Sequence, residues 1–347
     1  MTSQPQPIAL TDERAFLVRD AVRSGCGRAT FRHPRWHRPF AGVRSRGPIA
    51  ATLHGWALQY LPRLRPGERF SHSTALALLG CPVRVSQHAL VDVSSPVAAG
   101  RVRCRGVAGH RHREVAPEYP CIVPEHDDWI PVSAPLDAVL QSALQLPFCE
   151  LVVALDFLLL NPSERYDPHL YVTRDDLKIF AAQASGRGTV RFREAAALAR
   201  VGAESRMETL MRLGNARVGG PELRLQAELH DGQGCWIGRF DAADDEARAI
   251  FEYDGGQHLV SLQQRRRDAV KLQAARDAGW RVRVFFADDV LKSSLATGRR
   301  MLHFTGRPER PVRPMLARLL DERSGDRTEP ATHTSSPMSR TLMSGHE

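Results

Sequence analysis

The sequence feature that most constrains the fold is the run from Ala249 to Asp254, together with the residues up to Phe286. Its apolar start, Ala-Ile-Phe, predicts a strand, and Gly255-Gly256 ends that strand. A predicted helix over Ser261 to Ala278 then ends at Gly279, and a Val- and Phe-rich strand comes next over Trp280 to Phe286. A strand, a helix and a second strand in this order indicate a crossover between parallel neighbours. The pattern therefore predicts a mixed sheet.

Acidic side chains are concentrated at the end of this run. Strand residues alternate between faces, so Glu252 and Asp254 are expected to project to one face, and His258 comes directly after them. Upstream, a hairpin is predicted from Leu223–Leu229 and Trp236–Asp241. If the hairpin lies beside the first strand, Asp241 and Glu252 approach one metal ion. Mg²⁺ suits such a pair, because it binds few protein carboxylates together with water and phosphate oxygens, and Mn²⁺ is the alternative.

The predicted helices beside these strands carry further polar groups. On the helix after the acids, three- and four-residue spacing places four side chains on one face: Gln264, Arg267, Asp268 and Lys271. The helix predicted over Glu204 to Leu213 carries Glu208 beside its apolar face. An alternative interpretation makes the acids and Arg267 a polar network that only stabilises the fold.

Upstream of residue 203 the pattern is largely helical. Cap and breaker residues predict helices at 11–25, 74–79, 135–144, 148–160, 175–184 and 190–201. The expected caps include Thr11, Ser133 and Thr173, and Asp156 is interpreted as a half-buried partner residue within its helix. Alternation predicts two strands, over residues 90–93 and 101–105, that are able to pair. The irregular spacing of His110, His112 and His126 does not predict a metal site, and His72 is interpreted as a structural residue at a helix start.

A basic segment near the N-terminus is the strongest candidate for nucleic-acid contact. Its arginines are Arg28, Arg32, Arg35 and Arg38. They alternate with Phe31, Trp36 and Phe40, a combination typical of surfaces that bind nucleic acid. The alternative is a solvated face whose aromatic residues anchor it to a small core.

The overall composition favours a polyanionic partner. The chain has 347 residues and a net charge of +9, and its cations are nearly all arginine, with three lysines. Arginine matches phosphate and guanine geometry, so DNA is the expected partner, although a GC-rich genome also produces this bias. Six scattered cysteines without a Cys-x-x-Cys pair give no zinc-finger or disulfide pattern, and no apolar run of 18 residues occurs. A cytoplasmic protein without membrane contact is expected.

The run from Ala203 to Val290 resembles endonuclease-like domains related to very-short-patch-repair (Vsr) endonuclease, of the PD-(D/E)XK restriction-endonuclease-like superfamily. The motifs that carry the resemblance are Met207-Glu208-Thr209, Arg239-Phe240-Asp241, Phe251-Glu252-Tyr253-Asp254-Gly255, His258, Arg267-Asp268 and Gly279-Trp280-Arg281-Val282. The resemblance implies that Asp241 and Glu252 bind the metal and that Glu208 supports them. Asp254 stands where many of these nucleases carry a catalytic lysine. Lys271 is expected to replace that lysine and His258 to move a proton.

The upstream part, from Thr11 through Ser71–Ala75 to the Pro135 helix, is similar to actinobacterial proteins with an AbiEi-type antitoxin N-terminus of winged-helix type. The expected fold class is α/β (α+β): a restriction-endonuclease-like mixed sheet flanked by helices, after a largely helical, winged-helix-like region. The expected divisions are residues 1–69 (DNA-binding), 70–200 (α+β), 203–305 (endonuclease-like) and 324–347 (disordered). The expected function is a Mg²⁺-dependent DNA endonuclease or nickase. A non-catalytic, antitoxin-like DNA-binding regulator is the alternative, and the sequence does not define the oligomeric state.

Overall fold

The computed structural model describes residues 14–112, 118–123, 129–160, 170–255 and 262–322, with the backbone alone for 262–265. Within these ranges the chain is a mixed α/β protein with twelve α-helices and three sheets. No helix in the described ranges is both long and apolar enough to cross a membrane. The tail expected to be disordered, 324–347, lies outside the described residues.

The N-terminal segment forms a small aromatic core under a short ribbon. Strands β1 (Phe16–Leu17) and β2 (Val43–Arg44) pair in antiparallel fashion. Helix α1 covers Val18–Arg23, and helix α2 covers Leu53–Tyr60. The helix predicted to begin at Thr11 is therefore shorter than expected among the described residues. The physical reason is that β1 takes its hydrogen bonds from β2 instead of continuing a helix.

The middle of the chain contains a five-stranded mixed sheet of order β5-β4-β3-β7-β6. Its strands are β3 (Arg69–Phe70), β4 (Val91–Pro96), β5 (Val107–His112), β6 (Glu118–Cys121) and β7 (Ile130–Ser133). β4 runs parallel to β5, so the strand predicted at 101–105 is wrong in position. The segment before β5 instead serves as the connection that returns the chain for parallel pairing.

Helices cover this sheet largely where the caps predicted them. They are α3 (His72–Leu78), α4 (Pro135–Ser142), α5 (Phe148–Leu159), α6 (Arg174–Gln183) and α7 (Thr189–Leu198). Thr173 and Asp176 form the capping box of α6, which confirms Thr173 as its cap. The N-cap of α4 is Ala134, so the expected cap at Ser133 is wrong by one residue. All of α5 except Phe157 is buried, which makes it the central helix of the core.

The C-terminal sheet matches the predicted topology. Its order is β11-β10-β9-β8, from β8 (Arg224–His230), β9 (Trp236–Asp244), β10 (Ala249–Asp254) and β11 (Arg281–Phe286). β8, β9 and β10 are antiparallel neighbours, while β10 and β11 are parallel and joined through helix α9 (Leu262–Asp277). The crossover and the mixed sheet are confirmed. The remaining helices are α8 (Arg206–Arg217), α10 (Ala287–Lys292), α11 (Ser294–Thr305) and α12 (Pro314–Leu320).

Ion pairs join helix α8, which packs on the C-terminal sheet, to helix α5. Arg212 lies 2.6 Å from Asp156, and Arg206 lies 2.5 Å from Glu150, both on α5. Thr209 also donates a hydrogen bond to Asp156 at 2.8 Å. The interpretation of Asp156 as a paired helix residue is confirmed, although it is fully buried. These ion pairs hold α8 in place and so position its Glu208 beside the C-terminal sheet.

Candidate metal and nucleic-acid site

Asp241 and Glu252 meet where β9 and β10 separate. The backbone pairing of these strands ends with Phe251 opposite Ala242. One residue further, side chains replace the backbone ladder: Tyr253 N donates to Asp241 Oδ2 at 2.7 Å, and Asp241 N donates to Glu252 Oε2 at 3.4 Å. Neither acid terminates its strand as expected, because β9 continues to Asp244 and β10 to Asp254. The proximity expected of the two carboxylates is observed.

The surroundings of Asp241 disfavour the ionised form of its carboxyl group. Burial, together with the neighbouring carboxylates of Glu252 and Glu208, raises the pKa of Asp241 to about 8. Like charges held together away from water favour the protonated form, whereas an opposite charge would favour the ionised form. A strongly perturbed carboxyl among other acids is typical of functional sites.

Glu208 reaches this group from α8. Its helix begins at Ser205, whose hydroxyl accepts a hydrogen bond from the Glu208 backbone N–H. The Glu208 carboxylate accepts hydrogen bonds at 3.0 Å from Gln226 Nε2 and from Glu204 N. Burial raises the pKa of Glu208 as well. Gln226 has a left-handed backbone (φ +46°), a conformation that is uncommon in non-glycine residues and that clusters at functional sites.

Lys271 approaches the acids from the opposite element, α9. Its Nζ lies 2.6 Å from Glu252 Oε1, donates to Arg239 O at 2.6 Å, and sits 4.3 Å from the ring centre of Phe240. Gly238 makes room for the lysine stem, since a Cβ there would lie 2.9 Å from Lys271 Cγ. The structure thus brings the predicted substitute cation to one of the two predicted metal ligands.

The other predicted residues of the C-terminal site are more dispersed. Asp254 lies at the exposed end of β10, two residues beyond Glu252. Arg267 and Asp268 are exposed on α9 and line a surface groove with Trp236 and Lys271. His258 and the Gln264 side chain lie outside the described residues. On α9, Lys271 contacts the Glu252 carboxylate.

The four N-terminal arginines are exposed, but the aromatic residues between them are not. Phe31 and Trp36 pack with Phe16 in a buried cluster, with ring centres 5.4 to 5.7 Å apart. Phe40 is buried against Trp56 and Tyr60. These rings cannot stack on bases, so the alternative, an exposed basic face anchored by aromatics, describes this segment. Arg28, Arg32, Arg35 and Arg38 still offer a cationic face for phosphates.

A third group of polar side chains is not predicted from the sequence. His72, Asp92 and His110 each offer one ligand atom within 4.8 Å of the others. In the part of the chain that the structure describes, no other three His, Cys, Asp or Glu side chains converge this closely. In the sequence, His110 is considered together with His112 and His126 rather than with His72. The strand is also predicted at residues 101–105, whereas β5 covers Val107–His112. Had β5 been predicted at its observed position, parallel to β4, Asp92 and His110 would have been expected on the same side of the sheet.

Comparison of the chain with protein-family models, curated proteins and solved structures gave no match.

Proposed function

We propose that the protein is a Mg²⁺-dependent DNA endonuclease or nickase whose site is built on Asp241 and Glu252. The observation that carries the proposal is the convergence of three acids and one lysine from separate elements. Asp241 comes from β9, Glu252 from β10, Glu208 from α8 and Lys271 from α9. The Asp241 backbone N–H donates to the Glu252 carboxylate, and Lys271 Nζ contacts the same carboxylate.

The donor set fits Mg²⁺. Two carboxylates on neighbouring strands, just beyond their paired residues, provide hard oxygen ligands, and Mg²⁺ completes its shell with water and phosphate oxygens. The raised pKa of Asp241 indicates that the cluster of Asp241, Glu252 and Glu208 carries more negative charge than the surrounding protein stabilises. When bound there, Mg²⁺ neutralises charge on a phosphodiester and lowers the pKa of a bound water. Asp241 and Glu252 are the residues proposed to hold it.

We assign Lys271 the role of the catalytic lysine, because Asp254 occupies the position where many of the nucleases that the sequence resembles carry that lysine. In our proposal its ammonium group orients Glu252 and stabilises negative charge that develops on the scissile phosphate. The contact with the Phe240 ring and the bond to Arg239 O fix the lysine in this direction. Glu208, held by Gln226, keeps the negative potential around Asp241 high and so favours cation binding.

Contacts with DNA are proposed on two basic surfaces. The groove beside α9 contains Arg266, Arg267 and Lys271, together with Trp236, which is 63% exposed. An exposed aromatic ring among cations is suited to stacking on an unpaired base beside a phosphate backbone. The exposed N-terminal arginines add a second, sequence-independent phosphate contact.

The test is nicking of supercoiled plasmid in Mg²⁺ or Mn²⁺. We expect Asp241→Asn and Glu252→Gln to abolish nicking and Lys271→Met to reduce it about 100-fold, the effect of removing one electrostatic contact in a transition state. Glu228→Gln is the matched control, since Glu228 is an exposed acid on β8. Full activity of Lys271→Met would remove the role assigned to that residue.

Absence of nicking by the wild-type protein, or equal nicking by wild type and both acid variants, would contradict the enzyme proposal. Sequence-specific DNA binding without nicking would then favour the regulator, in which the C-terminal sheet serves as a scaffold. Binding is measured by fluorescence anisotropy with labelled duplexes over a range of salt concentrations.

A further inference from the structure

A second candidate site lies on the five-stranded sheet, away from the nuclease-like acids. Asp92 is on β4 and His110 is on the parallel neighbour β5, where Ser94 pairs with His110. Because side chains two apart on a strand share a face, Asp92 and His110 project to the same side of the sheet. His72, the first residue of α3, covers that side.

The three side chains are in direct contact. Asp92 Oδ1 lies 2.8 Å from His110 Nε2, and the rings of His72 and His110 stack with their centres 3.8 Å apart. Two imidazoles and one carboxylate form the ligand type that zinc and similar ions prefer, while Mg²⁺ prefers oxygen ligands alone. The Asp92 side chain is 4% exposed and that of His110 is 26% exposed, so solvent reaches one side of the group.

Neighbouring polar groups hold these side chains in place. Ser73 Oγ donates to Asp92 Oδ2 at 2.9 Å, and Gln145 Nε2 donates to Asp92 Oδ1 at 3.1 Å. The Ser71 hydroxyl lies 3.0 Å from His72 Nδ1 rather than capping its helix. Hydrogen bonds that orient a carboxylate and a histidine in this way are typical of the outer shell of metal sites.

The backbone at His72 is strained. Its φ of +51° lies in the left-handed region, which a non-glycine residue rarely adopts. The His72 backbone N–H donates to Gln141 Oε1 at 3.2 Å, and this contact helps maintain the conformation. Strain of this kind is concentrated at functional sites, where it sets the direction of a side chain. Here it places the imidazole against His110.

We propose that His72, Asp92 and His110 bind one divalent transition-metal ion of the zinc type. The donor atoms are Nε2 of His110, Oδ1 of Asp92 and Nε2 of His72, whose Nδ1 is engaged by Ser71. Because a nitrogen lone pair lies in the plane of its ring, one of the two stacked imidazoles turns out of the stack when the ion binds. Three protein ligands leave a fourth position for water, the arrangement that catalytic zinc sites share. The site is separate in residues and in metal preference from the Asp241 and Glu252 pair.

The experiment uses the full-length protein, freed of metal with a chelator and titrated with Zn²⁺ by calorimetry. With excess Mg²⁺ present to occupy the Asp241 and Glu252 pair, we expect the wild type to bind one equivalent of Zn²⁺. We expect at least about a tenfold loss of Zn²⁺ affinity in His72→Gly and in His110→Ala. Co²⁺ in place of Zn²⁺ should give visible absorption bands that both variants lose. His88→Ala, at an exposed loop histidine, should bind Zn²⁺ like the wild type.

His72→Gly also separates metal binding from folding. Glycine adopts φ +51° without strain, so the metal-free variant should melt at or above the temperature of the metal-free wild type. Zn²⁺ should raise the melting temperature of the wild type and leave that of His72→Gly unchanged. A wild type that binds no Zn²⁺, or unchanged affinity in either ligand variant, would overturn the proposal.

Discussion

Asp241→Asn is the substitution that most directly tests the electrostatics of the nuclease-like site. It removes the ionisable group and preserves the shape of the side chain. In the folded protein, burial and the carboxylates of Glu252 and Glu208 raise the pKa of Asp241 to about 8, from an ordinary value of 3.8. Between these pH values the folded state holds a proton that the unfolded chain has lost. The free energy of unfolding must therefore fall as pH rises through this window.

The size of the effect is set by the shift in pKa. Each pKa unit corresponds to about 1.4 kcal/mol, so the full displacement sets an upper limit of about 5–6 kcal/mol. Because Asp241 is not completely buried, solvent screening reduces this value, and we expect the wild type to lose about 2–3 kcal/mol across the window. Asp241→Asn should lose less and should be more stable than the wild type at the alkaline end. Mg²⁺ should stabilise the wild type there and have little effect on the variant.

Urea unfolding followed by circular dichroism, at several pH values in chelator and again in Mg²⁺, measures these quantities. Glu228→Gln is the control, because it also removes one negative charge and should show the wild-type pH dependence. If Asp241→Asn shows the wild-type pH dependence, or is the less stable protein at alkaline pH, then repulsion among these carboxylates is not what destabilises the site, and the reasoning fails.

Three further predictions concern other parts of the structure. Arg212→Met leaves the Asp156 carboxylate buried without its ion pair and should cost about 3–5 kcal/mol of unfolding free energy, whereas Arg217→Met, at a more exposed pair, should cost about 1 kcal/mol or less. Chemical denaturation of both proteins checks the difference. Thr173→Ala removes the capping box of α6 and should lower stability by about 1 kcal/mol, measured in the same way; no loss would contradict the role of the cap. Replacing Arg28, Arg32, Arg35 and Arg38 together by Gln should lower the slope of log K against log salt for DNA binding by up to about 3–4, and an unchanged slope would exclude this face from DNA contact.

The sequence is most informative where local patterns agree with one another. Alternation over β8 and β9, the glycines after β10 and the cap signals around α9 predict a hairpin and a parallel crossover, and both are present. The same patterns bring Asp241 and Glu252 together, since strand period and antiparallel pairing fix which side chains are neighbours. Helical spacing points to the α9 face that carries Lys271, and the structure brings Lys271 to Glu252.

Local patterns fail where a residue's role depends on distant partners. Phe31 and Trp36 alternate with arginines in the sequence, yet both rings are buried because Phe16 supplies a third ring from another element. The sequence pattern places β5 too early, since parallel partners are joined by long connections whose length does not define the register. Consequently, the pattern does not predict the group formed by His72, Asp92 and His110.

The sequence by itself determined the order of the C-terminal elements, most helix positions and the acidic character of one strand end. These properties depend on interactions within a few residues, which periodicity and capping record directly. Only the tertiary structure decided that Arg206 and Arg212 of α8 pair with acids of α5 and that His72 stacks on His110. Both contacts join elements far apart in the chain, and α8 reaches its position through ion pairs buried against α5. Packing between elements fixes such distances, and no local sequence pattern encodes them.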